Sequence, residues 1–184
     1  EYGMAVLEDR AVPDYREGCI PVVRRILYSC YDMGVRSNTK VVKAARVVGD
    51  TMGRFHPHGD GSIYSTIVNM TNDNSPIALI YGDGNWGSMS EPKTAAMRYT
   101  EMRLSKFSDQ VLFNKFYTPI MHQEMVPNYD GSVNEPLLLP ALLPIILLNG
   151  KFGIAPGATS YIPTCTVPSV LKMLKLINEG EEVT

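Results

Sequence analysis

The sequence predicts an α+β chain: a winged helix-turn-helix domain followed, past a turn near residue 130, by a second unit of different character. Three observations carry this. Residues 21 to 69 show apolar residues at helical spacing, broken by short polar turns; residues 77 to 88 read as a strand entering a glycine-rich loop; and residues 136 to 148 form an apolar run with a proline at every fourth position.

The elements follow in order. Pro21 suits the first turn of a helix, Val22, Ile26 and Met33 continue its apolar face, and Gly34 is placed to end it. A second helix is expected after Ser37-Asn38-Thr39, with Val41, Val42, Ala45, Val48 and Met52 inward, Lys43, Arg46 and Asp50 on the other side, and Gly53 limiting its extent. The turn His56-Pro57-His58-Gly59 then leads to a third helix, with Asp60 as N-cap and Ile63, Ile67 and Val68 buried, running through Asn69. Ile77 to Tyr81 reads as a strand and Gly82 to Ser88 as the tight loop that gives the helix-turn-helix a wing. Met97 to Leu104 reads as a further strand, with Ser105 or Ser108 opening a helix over Val111 and Leu112. After the turn Asn128-Tyr129-Asp130-Gly131 a domain boundary is expected, then a buried extended segment, a loop from Asn149 to Gly157, a last helix over roughly Pro168 to Asn178 and an acidic tail.

Composition narrows the class. A chain of 184 residues can bury a real core, and its formal net charge of −2 looks wrong for a nucleic-acid binder. Distribution resolves this, because residues 24 to 54 carry Arg24, Arg25, Arg36, Lys40, Lys43, Arg46 and Arg54 against only Asp32 and Asp50. A solvated helical face is the competing reading of that cluster. Cys19, Cys30 and Cys165 are odd in number and form no CxxC, which points away from a zinc ribbon or a disulfide framework and toward a reducing cytoplasm. No basic-then-apolar leader opens the chain. The apolar run from Pro136 to Leu148 is too short and too rich in proline for a membrane span, which needs about 20 apolar residues.

The chemistry centres on Arg98-Tyr99, within Ala95-Ala96-Met97-Arg98-Tyr99-Thr100-Glu101. A phenol is a nucleophile, and a permanently charged guanidinium beside it can offset charge on a phenolate and on the oxygens of a phosphodiester. As a bare dipeptide the pair favours a structural role, since adjacent residues on a strand point to opposite faces and Arg-Tyr dipeptides are common. Residues 60 to 75 contain no Lys or Arg, so the third helix, in or beside the major groove, cannot make arginine-to-guanine contacts. Asp60, Ser62, Ser65 and Asn69 suggest weak sequence preference, while Arg24, Arg25, Lys43, Arg46 and His56 are candidates to hold phosphates. The glycine-rich loop is no phosphate-cradling loop, since it lacks the following Lys-Ser/Thr and the helix. His56-x-His58 has a spacing that can chelate zinc, but no thiol or third ligand stands nearby, so no metal site is expected on this chain.

Several blocks then follow in one order: Val12-Pro13-Asp14-Tyr15-Arg16-Glu17-Gly18, Pro21-Val22-Val23-Arg24-Arg25-Ile26-Leu27-Tyr28, Ala45-Arg46-Val47-Val48-Gly49-Asp50, His56-Pro57-His58-Gly59-Asp60, Gly82-Asp83-Gly84-Asn85-Trp86-Gly87-Ser88 and Asn128-Tyr129-Asp130-Gly131. With Arg98-Tyr99 they resemble the A subunit of bacterial type IIA DNA topoisomerases, the gyrase and topoisomerase IV group, from the first residues to about Pro163. The resemblance implies a breakage-reunion subunit in which Tyr99 attacks double-stranded DNA and becomes joined to the 5′ phosphate. It places residues 1–132 in a winged-helix DNA-gate domain and 133–184 at the start of an α/β tower domain, a cropped piece of a longer polypeptide. Arg98 matches the arginine beside the nucleophile, Arg10 the arginine of the Gly-Arg-Ala-Leu-Pro-Asp motif, and His58 the second histidine of the His-Pro-His-Gly-Asp motif, so all three are expected to converge on the scissile phosphate. Ile154, in Gly153-Ile154-Ala155, matches an isoleucine that wedges between base pairs.

The same resemblance implies a homodimer joined to two B subunits (A2B2), whose TOPRIM domain holds Mg²⁺ and whose ATPase domain binds ATP, in the cytoplasm at the nucleoid. Some positions depart from the family: Ile20 where a lysine commonly stands, Pro156 for a usual valine, and Gly61 and Ser65 for the hydroxyl and acidic residues through which fluoroquinolones are anchored. They hint at a divergent bacterial or phage source. The competing class is a non-catalytic winged-helix DNA-binding module, which needs neither Arg98-Tyr99 nor Arg10.

Overall fold

The computed structural model describes residues 13–71, 75–88, 93–155 and 158–181, with the backbone alone for 151–155 and 158–160. Helix α1 spans Pro21–Asp32, starting on the proline whose missing N–H costs nothing in a first turn, and Gly34 follows its end at φ +72°. Helix α2 spans Ala44–Arg54 and helix α3 Asp60–Asn69. The three bury Ile26, Leu27, Val47, Val48, Ile63 and Ile67 into one core. The turn between α2 and α3 is short, residues 55–59.

Strands β1 (Val42–Lys43), β2 (Ile80–Asp83) and β3 (Glu101–Leu104) form an antiparallel sheet in the order β1-β3-β2, with Val42 opposite Met102 and Gly82 opposite the same residue from the other side. Met102 and Leu104 point into the core while Glu101 and Arg103 face outward, the alternation of a sheet covered on one side. Gly82 has a local reason: a Cβ there would lie 2.6 Å from the indole nitrogen of Trp86, whose ring folds back over the strand and donates to the Asp83 carbonyl at 3.1 Å.

Several boundaries differ from the sequence expectation, each for a nonlocal reason. The second helix begins at Ala44, not after Thr39, because Val42 and Lys43 are drawn into the sheet and the first helical amides find partners on a distant turn. Gly59, not Asp60, is the N-cap of α3; Asp60 occupies its first turn, where a carboxylate complements the helix dipole. The strand expected at 77–81 runs from Ile80, since the backbone N–H and carbonyl of Ile77 are taken by the Asn149 side chain at 2.8 and 2.9 Å. Of the expected strand 97–104, only Glu101–Leu104 is extended, and residues 97–99 form a turn.

Ser105 caps helix α4 (Lys106–Val111), accepting from the Ser108 amide at 3.1 Å. Helix α5 (Thr118–Gln123) leads into a hairpin of β4 (Met125–Pro127) and β5 (Asn134–Pro136), with the turn at residues 128–131 at its tip. The proline-spaced run is not extended throughout, because Ile145–Asn149 forms the short helix α6; Leu139 and Ile145 join the core while Leu137 and Leu142 stay exposed. The loop expected at 149–157 is instead largely strand: β6 (Lys151–Ala155) pairs antiparallel with β7 (Ala158–Ile162). Helix α7 (Val167–Glu179) closes the described chain, capped by Thr166 at its start and by Gly180 in the left-handed conformation at its end. No described helix is long and apolar enough to cross a membrane.

Candidate functional site

Tyr99 sits at the end of the 97–99 turn with its side chain in solvent, 62 % exposed, and the Arg98 guanidinium lies 4.7 Å from the centre of its ring. The turn itself is held firmly. Ala44 and Ala45, the first residues of α2, donate their backbone N–H groups to the carbonyls of Thr100 and Met97 at 3.0 and 3.1 Å. Helix N-termini leave such donors without intrahelical partners, and α2 has no side-chain cap, so the tyrosine turn serves as the cap of the helix.

Two further contacts fix the turn from its flanks. The Tyr64 hydroxyl, projecting from the middle of α3, donates to the Ala95 carbonyl at 2.6 Å and shares a hydrogen bond with the buried Thr100 hydroxyl at 2.9 Å. Burial pushes the Tyr64 phenol above its ordinary value, so it remains a protonated donor. Lys43, at the N-cap of α2, reaches the Tyr99 carbonyl at 3.3 Å and pairs with Glu101 at 3.0 Å. Both α2 and α3 thus hold the segment bearing Tyr99, and the side chains of Arg98 and Tyr99 face solvent.

His56 and His58 flank Pro57 in the interhelical turn. The His58 N–H donates to the His56 carbonyl at 2.7 Å, a tight bond that the ring-locked φ of Pro57 suits, and the two imidazoles stack with centres 4.2 Å apart and planes 21° from parallel. His58 is exposed at the surface. No hydrogen bond or ring contact joins His58 to Arg98 or Tyr99 within one copy of the chain. Arg10 lies outside the described residues, as does the side chain of Ile154, whose backbone sits in β6 opposite Thr159.

The basic segment looks different once its partners are seen. Arg24 binds the fully buried Glu17 at 2.6 Å, Arg25 binds Glu135 through two nitrogens at 2.7 and 2.8 Å, Arg36 pairs with Asp109, and Arg54 with Asp32 and Asp50. Arg24 ties α1 to the preceding loop, Arg25 ties it to β5, Arg36 ties the segment after α1 to α4, and Arg54 joins α2 to the end of α1. Glu17 accepts in addition from the Leu139 backbone N–H, yet burial still holds its carboxyl above the usual range, with Arg24 pulling the other way. Of the seven cations between residues 24 and 54, Lys40 and Arg46 are exposed and form no ion pair among the described residues. Arg98 and Lys43 are exposed beside Tyr99 and Arg46 is exposed on the first turn of α2, whereas Arg24 and Arg25 are engaged by Glu17 and Glu135.

Ser62 is exposed, but its hydroxyl donates to the Gly59 carbonyl at 2.7 Å, so it supports the start of α3. Cys30 is wholly buried and its thiol is pushed up by burial, which makes it a packing residue. Among the described residues no three His, Cys, Asp or Glu side chains gather into a metal-holding group. Tyr64, Glu17 and Glu135 are the contributors that sequence reasoning missed; each acts through contacts with residues distant in sequence or on another element, and no local spacing announces them.

The fold is α+β, with an outward-facing Arg-Tyr turn held by two helices, and the relatives of the chain define its class. The family profile described as DNA gyrase/topoisomerase IV, A subunit, matches residues 10–184. The chain is 46 % identical over 185 residues to the DNA gyrase A subunit of Aminobacterium colombiense, covering 98 % of this chain and 22 % of that protein. It is 45 % identical to a probable chloroplastic/mitochondrial DNA gyrase A subunit of Oryza sativa, covering all of this chain and 20 % of the relative. Against the DNA gyrase A subunit of Helicobacter pylori it is 42 % identical, over 97 % of this chain and 21 % of the other. The chain belongs to the family of DNA gyrase/topoisomerase IV A subunits, and it spans about a fifth of the length of these curated relatives.

Proposed function

We propose that this chain is the DNA-gate part of an ATP-dependent type IIA topoisomerase, with Tyr99 as the nucleophile that opens the duplex. The observation that carries the reading is the presentation of Tyr99: an exposed phenol on a turn whose backbone is bonded to the start of α2 and whose flanks are bonded to α3. Attack must be in line with the bond that breaks, so the attacking atom has to be held in place before DNA arrives. In the step itself the Tyr99 oxygen forms a bond to phosphorus as the bond from phosphorus to the 3′ oxygen breaks. The phenolic proton leaves to a base or water, and the departing 3′ oxygen acquires one. A 5′-phosphotyrosyl ester replaces a phosphodiester of similar energy, so religation runs the same step backward.

In this reading Arg98 swings from the Tyr99 ring to the phosphate oxygens and offsets the charge that builds there, with Arg10 in the same role, while His58 donates a hydrogen bond or transfers the proton. Lys43 and Arg46 hold flanking phosphates, and Ile154 is the base-pair wedge. The three helices and the sheet make a winged helix within residues 1–132, with 133–184 starting the tower domain. Two copies related by a two-fold axis are needed for a double-strand break, because each tyrosine cuts one strand. Among the described residues no group of three or more His, Cys, Asp or Glu is placed to hold a metal ion, and in this reading Mg²⁺ and ATP belong to the partner B subunit in an A2B2 assembly on cytoplasmic DNA.

The test is covalent trapping. The full-length protein, mixed with its B subunit, Mg²⁺ and supercoiled DNA and then denatured, is expected to remain attached to the 5′ ends of cut strands through Tyr99. Intact DNA free of protein under those conditions would favour a non-catalytic DNA-binding module.

A further inference from the structure

We infer that Glu135 is a positioning residue for the histidine pair of the cleavage site, acting through Arg25. Glu135 stands on β5, remote in sequence from every motif of the site, and is buried. Its two carboxylate oxygens take the Arg25 Nε and one terminal nitrogen at 2.7 and 2.8 Å, which fixes the plane of the guanidinium. The other terminal nitrogen of Arg25 then lies 3.1 Å from His56 Nδ1. An arginine N–H can only donate, so Nδ1 is the acceptor and the proton of the neutral His56 ring resides on Nε2. His56 in turn stacks face to face on His58.

The geometry therefore forms one chain of constraint, from Glu135 through Arg25 to the tautomer and plane of His56, and from that plane to the ring of His58. Each link needs the one before it. Without the carboxylate, Arg25 keeps its charge but loses the two-point clamp that aims its third nitrogen. A lysine at position 25 would supply the charge as a single point, with no second nitrogen to aim, so charge alone should not restore the arrangement. The hairpin of β4 and β5 thereby reaches the cleavage site, and Arg25, a phosphate candidate by sequence, acts on the histidines from behind. This inference rests on the function proposed above.

The test uses the full-length protein in complex with its B subunit, comparing wild type with Glu135→Gln and Arg25→Lys. Nitrogen NMR of histidine-labelled protein, with the His56 signals assigned by their loss in His56→Gln, is expected to show a single tautomer protonated at Nε2 in wild type and a mixture in both variants. DNA cleavage at saturating DNA is expected to slow at least about tenfold in both variants, within the roughly hundredfold that a misplaced catalytic group costs, while DNA affinity changes less than about twofold. A wild-type His56 protonated at Nδ1 overturns the inference whatever the enzyme does on DNA. So does normal cleavage by Glu135→Gln, or a loss of cleavage matched by equal losses of DNA affinity and thermal stability, which would make Glu135 merely structural. If wild type cuts no DNA, the proposed function fails, and the NMR signature alone decides the positioning.

Discussion

Replacing Tyr64 by Phe isolates the bonds that hold the Tyr99 turn. The ring and its packing near Trp86, 5.7 Å between centres, are kept, while the hydroxyl that serves the Ala95 carbonyl and the Thr100 Oγ1 is removed. Two hydrogen bonds at about 0.5–1.5 kcal/mol each suggest a loss of roughly 1–3 kcal/mol. The upper part of that range is favoured because Thr100 is fully buried and its hydroxyl loses this partner. If the loss falls on local opening of the turn, about 1.4 kcal/mol corresponds to a tenfold change. Hydrogen exchange of backbone amides at residues 95–101 in the full-length protein should then quicken about five- to hundredfold, with Ala44 and Ala45 following because their acceptors are Thr100 and Met97. DNA cleavage should slow while DNA affinity holds. Exchange at 95–101 unchanged within about twofold would refute the view that α3 pins the turn.

Four further variants have defined outcomes. Tyr99→Phe, at an exposed position, should leave folding and DNA binding intact and abolish the covalent adduct; Arg98→Ala should lose cleavage of saturating DNA by about a hundredfold with little loss of affinity, both read by trapping and by binding titration. Gly61 and Ser65 lie one helical turn apart on the exposed side of α3, and a Cβ at Gly61 would meet nothing within 4 Å. The double substitution Gly61→Ser with Ser65→Asp should therefore fold normally and raise fluoroquinolone-stabilised cleavage above a poorly responsive wild type; equal drug response of the two proteins would count against the assignment of these positions. Glu17 has a folded-state pKa raised by burial, so the stability it lends is complete below the ordinary glutamate value of about 4.3 and is lost as pH rises through its folded value. Urea unfolding across that window should show Glu17→Gln with a flatter pH dependence than wild type, and an identical slope would contradict the burial argument.

The elements legible in the sequence are those whose causes are local. Pro21 and Gly34 bracket α1, the periodic Ile63 and Ile67 define α3, and Thr166 and Gly180 frame α7, because a helix cap or an apolar stripe is written within a few residues of its effect. The start of α2 is not legible in this way. Its cap is the carbonyl of Thr100, some 56 residues onward, and the Ser37-Asn38-Thr39 signal that mimics a cap belongs to a turn, with the Thr39 hydroxyl donating to the Arg36 and Gly34 carbonyls. The hairpin of β6 and β7 was hidden for a related reason. Its glycines read as loop formers, whereas the pairing of Gly153 with Ser160 is decided by the register of the ladder.

The same distinction governs the site. The proposed nucleophile is marked by two adjacent residues set among ordered motifs, so Arg98-Tyr99 is legible as a candidate in the sequence. The electrostatic role of a cation depends on what stands opposite it, and the partners of Arg24 and Arg25 are carboxylates on a preceding loop and on a hairpin 110 residues away. A run of basic residues therefore overstates the charge that this fold presents to DNA. Exposed by contrast are Lys40, Arg98 on the tyrosine ring, Lys43 at its backbone and paired with Glu101, and Arg46 on the first turn of α2. On the function proposed above, a protein that acts at many sequences gains little from base-reading arginines on α3, and its exposed cations belong where a phosphate changes its bonds.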